Sequence, residues 1–283
     1  MKVYIQSNKK QHVAAKVSQF TFKKFNLDAE IVLIEECDFF KEIINKTHLR
    51  NGKKTIFKDD LQSFTLLRFY ISTIHKGSED YLIVDPDVFA LKDPKISRNL
   101  TKKKNSLLCT FYKNKPRSEV MYFDQVEECW NFDQIIKDLF DFKLDYKDLI
   151  NLNFKNQNLN ISEIEKIYNE HDVIKPETVL LHTTKRITQP WKLNLEIDFE
   201  RNISKKNIFI NRIKKFLKLK YNEEFLSKNY LMHDNQDVFK FVAKIFLEAI
   251  NQGVISKSEI EESISNKYLS QKFIDYVYSE NNK

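Results

Sequence analysis

An α/β fold, a sheet flanked by helices with a small helical subdomain after it, is predicted by three features of this sequence. Short apolar runs at Ile31–Ile34, Tyr81–Val84 and Val179–Leu181 have the length of buried strands and alternate with segments of helical spacing. Past residue 200 the strand signal stops while helical spacing continues. Across 283 residues, 42% apolar content and 13% aromatic content supply a large core and exclude a disordered chain.

In order, Val3 and Ile5 alternate in a first strand, Gln6-Ser7-Asn8 reads as a polar turn, and His12 to Phe25 shows helical spacing through Val13, Val17 and Phe20. The Ile31–Ile34 run follows as a strand, and Lys41 to Asp60 reads as irregular, with Gly52 marking a turn. Leu61 to Ile74 is a helix by the spacing of Phe64, Leu67, Ile71 and Ile74; it carries Arg68 and ends by Gly77. After the Tyr81–Val84 strand come strands at Leu107–Tyr112 and Val120–Phe123, then helices at Val126–Phe142 and Ser162–Tyr168. The Val179–Leu181 strand is expected to close the layer that carries the chemistry. This divides the chain into a catalytic domain, 1–200, and a helical part, 201–283, with helices over Ile208–Tyr221, Val238–Ile250 and Ser258–Tyr278 and Gly253 at a helix C-terminus.

Composition narrows the function. Only Gly52, Gly77 and Gly253 occur, so no glycine-rich phosphate cradle can be built and anions must be held by side chains, a metal or a helix N-terminus. Cys37, Cys109 and Cys129 are odd in number and scattered, which reads as reduced core thiols. No leader-like start and no apolar block of about 18 residues is present, so the expected location is cytoplasmic, with peripheral contact at the inner membrane face as an alternative. The formal charge of +7 favours phosphate-bearing partners in general.

Two constellations carry the chemistry. Asp85-Pro86-Asp87 follows a four-residue apolar strand, so two carboxylates meet where α/β sheets place ligands. Taken alone, such a pair is usually a solvated turn; here Pro86 stiffens it, and neighbouring carboxylates tolerate one another best around a cation. His182-Thr183-Thr184-Lys185-Arg186 follows the second apolar run, and Pro190-Trp191 fixes its loop by packing. A lone histidine there would be a satisfied core residue. Beside two aspartates it can complete a site for Mn2+ or Mg2+, with metal affinity falling below about pH 6.5 as the imidazole protonates. Lys185 offers a point charge suited to a diphosphate.

Arg68-Phe69-Tyr70, the Tyr81–Asp87 run, and His182 through Pro190-Trp191 together resemble the sugar-nucleotide glycosyltransferases of the GT-A fold, a Rossmann-type mixed sheet. The likeness is to the galactosyltransferase/glycogenin type (glycosyltransferase family 8) and bacterial polysaccharide relatives. It covers roughly residues 1–195. The resemblance implies a metal-dependent hexosyltransferase of the retaining type, moving a sugar from a nucleoside diphosphate, UDP by analogy, to a hydroxyl of a glycan or lipid-linked acceptor. It implies Asp85, Asp87 and His182 as metal ligands and Arg68, Pro86 and Ser118 at the donor. Ser118 opens the strand that lines the donor sugar, and Glu119 stands there in place of a glycine. Gln189 precedes Pro190 where the family has a lysine, so Lys185 and Arg186 are the nearest cations for the diphosphate, with Lys185 in the catalytic set beside Asp85 and Asp87. Gln6, Ser7 and Asn8 are placed at the base or ribose, against the alternative of an ordinary βα turn. Tyr168, Asn169, His171 and Asp172 are further candidates for sugar contacts.

Two other classes compete. A phosphohydrolase of the haloacid dehalogenase type also places D-x-D after a strand, but Phe89 stands where that group has a small or hydroxyl residue. A nucleic-acid-binding protein would suit the charge, but the lysines are dispersed and no binding module is recognisable, so no nucleic-acid partner is expected. The basic stretch Ile208–Tyr221 is expected to pack its apolar side on its own domain; an anionic membrane is the alternative.

Overall fold

The structure is a computed structural model of the chain and describes all residues except 78, 96–105, 125–129, 155–158, 200, 202–203 and 281–283. Cys129 and the start of the helix expected from Val126 lie outside the described residues. The chain forms two compact units, Met1–His182 and Thr183–Lys283.

The first unit begins β1 (Lys2–Ser7), α1 (His12–Lys23), β2 (Asp28–Leu33), α2 (Asp38–Ile43), β3 (Thr47–Arg50), β4 (Lys53–Ile56) and α3 (Leu67–Ile74). It continues with β5 (Tyr81–Val84), β6 (Val88–Ala90), β7 (Ser106–Tyr112), β8 (Lys115–Asp124), α4 (Phe132–Phe140) and α5 (Tyr146–Ile150). β9 (Asn160–Glu163), β10 (Glu170–His171) and β11 (Leu180–His182) complete it. Six strands form a mixed sheet in the order β2-β1-β5-β8-β7-β9, with β1 parallel to β2 and β5, and β8 antiparallel to β5 and β7.

The central strands are apolar on both faces because helices cover both faces. Their side chains divide with period two. Tyr81, Ile83, Leu107, Cys109, Met121 and Phe123 join the core beneath α3 and α4 residues such as Leu67, Phe69 and Ile135. Leu82, Val84, Leu108, Val120 and Tyr122 join the opposite core with Ala15 and Phe22 of α1. The fully apolar Tyr81–Val84 run is thus a strand shared by two cores.

Several expectations are corrected. Gln6 and Ser7 lie within β1, since pairing with β2 runs on to Ser7↔Leu33. The 41–60 stretch is ordered: α2 and the hairpin β3–β4 occupy it, with Asn51 and Gly52 both at positive φ in the turn. Ser162–Tyr168 is no α-helix; β9 extends the sheet beside β7, and a single 3-10 turn follows at Lys166–Tyr168. A four-residue ladder with β7, which takes in Ser162 and Glu163, outweighs the weak helical spacing there. The Val179–Leu181 run does not close the main sheet. β11 pairs parallel with β10 and antiparallel with β6 in a separate three-stranded sheet.

The second unit is helical: α6 (Lys205–Phe216), α7 (Gln236–Asn251), α8 (Lys257–Ser265) and α9 (Gln271–Glu280). Its core is aromatic. Trp191 stacks on Phe246, and Phe239 and Phe246 of α7 meet Phe273 of α9 edge-on. Pro190-Trp191 anchors its loop as expected, since the Trp191 carbonyl also accepts from the Ser270 amide at 2.8 Å. Gly253, at φ +71°, follows α7 in the left-handed cap that a β-carbon would strain. The stretch expected as one helix over Ser258–Tyr278 is two, α8 and α9, with Lys267 at φ +60° and Ser270 between them.

Candidate functional site

The sheet order reverses at β1: the chain goes out to β2 on one side and returns to β5 on the other. The crevice at the C-terminal ends of β1 and β5 is therefore the switch point where such sheets hold ligands. Register Ile5↔Val84 brings Gln6 beside Asp85, and the Gln6 side-chain amide donates to Asp85 Oδ1. Gln6 Oε1 is buried with no hydrogen-bond partner among the described residues.

Asp85 opens a turn in which the Val88 amide donates to the Asp85 carbonyl at 3.3 Å, with Pro86 in the second position that its fixed φ suits. The turn moves the chain from the main sheet into β6. α1 holds β6 in place: Ser18 Oγ donates to the Val88 carbonyl, and the Ala90 amide donates to Thr21 Oγ1 at 2.9 Å. β6 then pairs with β11 in the register Val88↔His182. That pairing explains how residues 95 positions apart in sequence meet. His182 Nε2 stands 3.3 Å from Asp87 Oδ1 and 3.9 Å from Asp85 Oδ2, and all three residues are buried.

Arg68 of α3 grips Asp85 from the other side, donating from Nη2 at 2.6 Å to each carboxylate oxygen and from Nη1 at 2.8 Å to Ser118 Oγ. Ser118, fully buried on β8, accepts from Arg68 and donates its own hydroxyl hydrogen bond to the Ile150 carbonyl at 3.0 Å. It therefore positions Arg68. Asn8 is likewise occupied: its amide donates to the Asp60 carbonyl and Ser63 Oγ, both at 2.9 Å, and its Oδ1 accepts from the Gln11 amide. Ser7 is buried and donates to the Asn8 carbonyl. Of the three residues at the end of β1, Gln6 reaches the acidic pair.

Asn169 was a loose candidate for a sugar contact; the structure gives it a defined task. Its amide nitrogen donates to Thr110 Oγ1 at 2.9 Å and lies 3.5 Å from Glu119 Oε2, so its Oδ1 faces His182 Nδ1 at 2.8 Å. A carbonyl oxygen only accepts, which assigns the proton to Nδ1 and turns Nε2 toward the carboxylates. His171, paired with His182 across β10 and β11, lies edge-on to it, with Nε2 3.6 Å from Glu119 Oε2. Glu119 also pairs with Arg117. The neighbourhood of Asn169 and His171 to His182 depends on the β10–β11 pairing, which spacing does not show.

The electrostatics are those of a crowded acidic site. Burial pushes the Asp85 carboxyl up from its ordinary range, while Arg68 and then His182 pull it back. Burial also works against charge on Glu119, but the His171 contact, His182 and Arg117 hold it well below the ordinary carboxylate range. Burial alone would depress His182; Asp87 overcomes this and, with Asp85 and Glu119, pushes it up to about 9. In the metal-free site the acidic neighbours thus favour the imidazolium, so proton competition with a cation extends above the pH of about 6.5 expected for an ordinary histidine.

The ligand atoms of Asp85, Asp87 and His182 lie within 4.8 Å of one another, as do those of Glu119, His171 and His182. Two hard oxygens and an imidazole oriented by the Asn169 carbonyl fit a divalent cation such as Mn2+. The charges fit too. Arg68 and an imidazolium balance Asp85 and Asp87, so exchanging the imidazolium proton for a divalent ion leaves one positive charge facing an anionic ligand.

In the second unit, Lys185 is half-exposed and forms an ion pair with Asp234, while the Arg186 guanidinium lies 5.9 Å from the Phe199 ring centroid. Among the described residues, no helix is long and apolar enough to cross a membrane.

No family model matches the chain, and no curated protein matches it. Several solved structures resemble it in fold. The galactosyltransferase LgtC in complex with donor and acceptor sugar analogues aligns at 10% identity and a TM-score of 0.44, over 68% of this chain and 89% of that one. The glycosyltransferase GlyE of Streptococcus pneumoniae TIGR4 aligns at 16% identity and 0.44, over 90% and 65%. Mouse xyloside xylosyltransferase 1 aligns at 8% identity and 0.40, over 65% and 97%.

Proposed function

We propose that the chain is a metal-dependent glycosyltransferase of the GT-A type that transfers a sugar from a nucleoside diphosphate, UDP first among the candidates, to a hydroxyl of a glycan or lipid-linked acceptor. One observation carries the reading: Asp85, Asp87 and His182 meet at the switch point of the sheet, with Arg68 and Gln6 locked onto Asp85. Held by these three ligands, Mn2+ or Mg2+ would act as a Lewis acid that neutralises charge on the departing diphosphate.

The protein's own groups divide the remaining tasks. Arg68 and Ser118 fix Asp85 so that one geometry is presented. Asn169 fixes the His182 tautomer with the Nε2 lone pair available for coordination. Gln6 Oε1, an unpartnered buried acceptor beside Asp85, suits a hydroxyl of the ribose or sugar. Ser7, Asn8 and Pro86 are assigned to the nucleoside end of the donor. Lys185 and Arg186 are assigned to the diphosphate, where prearranged cations stabilise a leaving group. The retaining outcome, the 1–200 limit of the catalytic part and the helical role of 201–283 belong to the same proposal.

Thermal shift of the full chain across nucleoside diphosphates, with and without Mn2+ or Mg2+, tests it. Stabilisation by one diphosphate that needs the metal and disappears in Asp87→Ala supports the reading. Equal stabilisation with and without metal, or none with any diphosphate, overturns it.

A further inference from the structure

The helix α6 is built the wrong way round for a packed helix. Over Lys205–Lys220 the sequence holds seven cations and no carboxylate. Its one buried residue is polar: Asn211 donates to the Asn207 carbonyl at 2.8 Å and accepts from the Asn222 amide at 2.8 Å, tying that side to the turn after the helix. The apolar side faces outward. Phe209 is 65% exposed and Phe216 86%, and Ile213, Leu217 and Leu219 are exposed with them. Phe209, Ile213 and Phe216 follow the i, i+4, i+7 spacing of a single stripe. Arg212, Lys214 and Lys215 flank it, all exposed, and Lys218 and Lys220 continue past its C-terminal end. The expectation that this stripe packs on its own domain is therefore corrected for Phe209, Ile213, Phe216 and Leu217: the side through Asn211 packs, with Ile208 and Ile210 half-buried beside it, and those four are presented.

Glu223, Glu224 and Asp234 line a cavity beside Lys214 and Lys220, but the helix itself carries no carboxylate, and its large exposed apolar side chains bordered by cations match one surface in particular, a bilayer bearing anionic lipid. The phenylalanines enter at the headgroup level, and the lysines meet the negative surface potential. A neutral apolar partner would leave the lysines around its rim uncompensated, whereas anionic lipid takes the apolar stripe and neutralises the cations together. We infer that α6 lies flat on an anionic membrane surface, with Phe209, Ile213 and Phe216 inserted and Arg212, Lys214, Lys215 and Lys218 on the lipid phosphates. This surface is independent of the reaction proposed above.

Co-sedimentation of the full chain with vesicles of phosphatidylcholine, alone or mixed with phosphatidylglycerol, tests the inference. The chain should pellet with the mixed vesicles and be released by salt. Both Phe209→Ser/Phe216→Ser and Lys214→Glu/Lys215→Glu should lower the partition coefficient by about tenfold or more with melting unchanged, since all four side chains are solvent-facing. Absence from the mixed-vesicle pellet overturns the inference. So does equal binding to pure phosphatidylcholine, or undiminished binding by the phenylalanine variant. A dimer in analytical ultracentrifugation that the phenylalanine variant breaks, with no vesicle binding, would assign the stripe to a second copy of the chain instead.

Discussion

Replacing Arg68 with methionine tests the electrostatic core of the site. The guanidinium is buried and gives both Asp85 oxygens a hydrogen bond at 2.6 Å, and methionine fills similar volume without charge. Removing one partner of a buried pair leaves the other charge uncompensated, at a cost of about 3 kcal/mol or more. For a unit of this size each kcal/mol moves the melting midpoint by ~2–4 °C, so Arg68→Met should melt about 6–12 °C below the parent at pH 7.5. The deficit should shrink on acidification. Burial already raises the Asp85 pKa, Arg68 opposes that rise, and without it the carboxyl takes up a proton in the folded state. A raised folded pKa favours folding at low pH and loses that benefit as pH rises through it. Saturating Mn2+ should also narrow the gap, because a bound cation replaces the missing positive charge. Differential scanning fluorimetry from pH 5 to 8 reads all three effects. A variant melting within a degree or two of the parent at every pH would refute the claim that Asp85 is ionised and held by Arg68.

Two further outcomes follow from the same geometry. The raised His182 pKa of about 9 gives metal-free stability that is full below about pH 6.5 and lost as pH rises through about 9. Since coordination at Nε2 requires loss of that proton, Mn2+ affinity should climb about tenfold per pH unit from 6 to 9 and then level, with about one proton released per ion at pH 7; calorimetry in buffers of different ionisation enthalpy measures this, and zero release contradicts it. Asn169→Ala should weaken metal binding by about 10–100-fold while leaving the fold intact, because the imidazole loses the acceptor that orients it; an unchanged titration would show that Asn169 serves packing only.

Much of the site was legible because its chemistry sits at strand ends. The Tyr81–Val84 run is apolar at every position, which marks a strand buried on both faces, and the aspartates follow it directly. Arg68 was visible as a lone cation within an apolar helical repeat. What could not be read was pairing. Nothing in the spacing of Val179–Leu181 says that it joins β6 rather than the main sheet, or that Glu170-His171 lies beside it. Asn169 as the orienting group depends on that pairing. The polar residues at the end of β1 were misread for a different reason: strand pairing extended past the last apolar residue, so Gln6 and Ser7 continue β1 although their composition suggests a turn. The basic stretch deceived in the opposite sense, since an amphipathic pattern shows which faces differ and not which one is covered.

The ladder between β6 and β11 is only three residues long, and it sets the direction of the imidazole by parity. A slip of one position would present Leu181 or Thr183 to the aspartates and send the histidine to the far side. A single-residue insertion inside either short strand would therefore disconnect the nitrogen donor from the oxygen pair at one stroke.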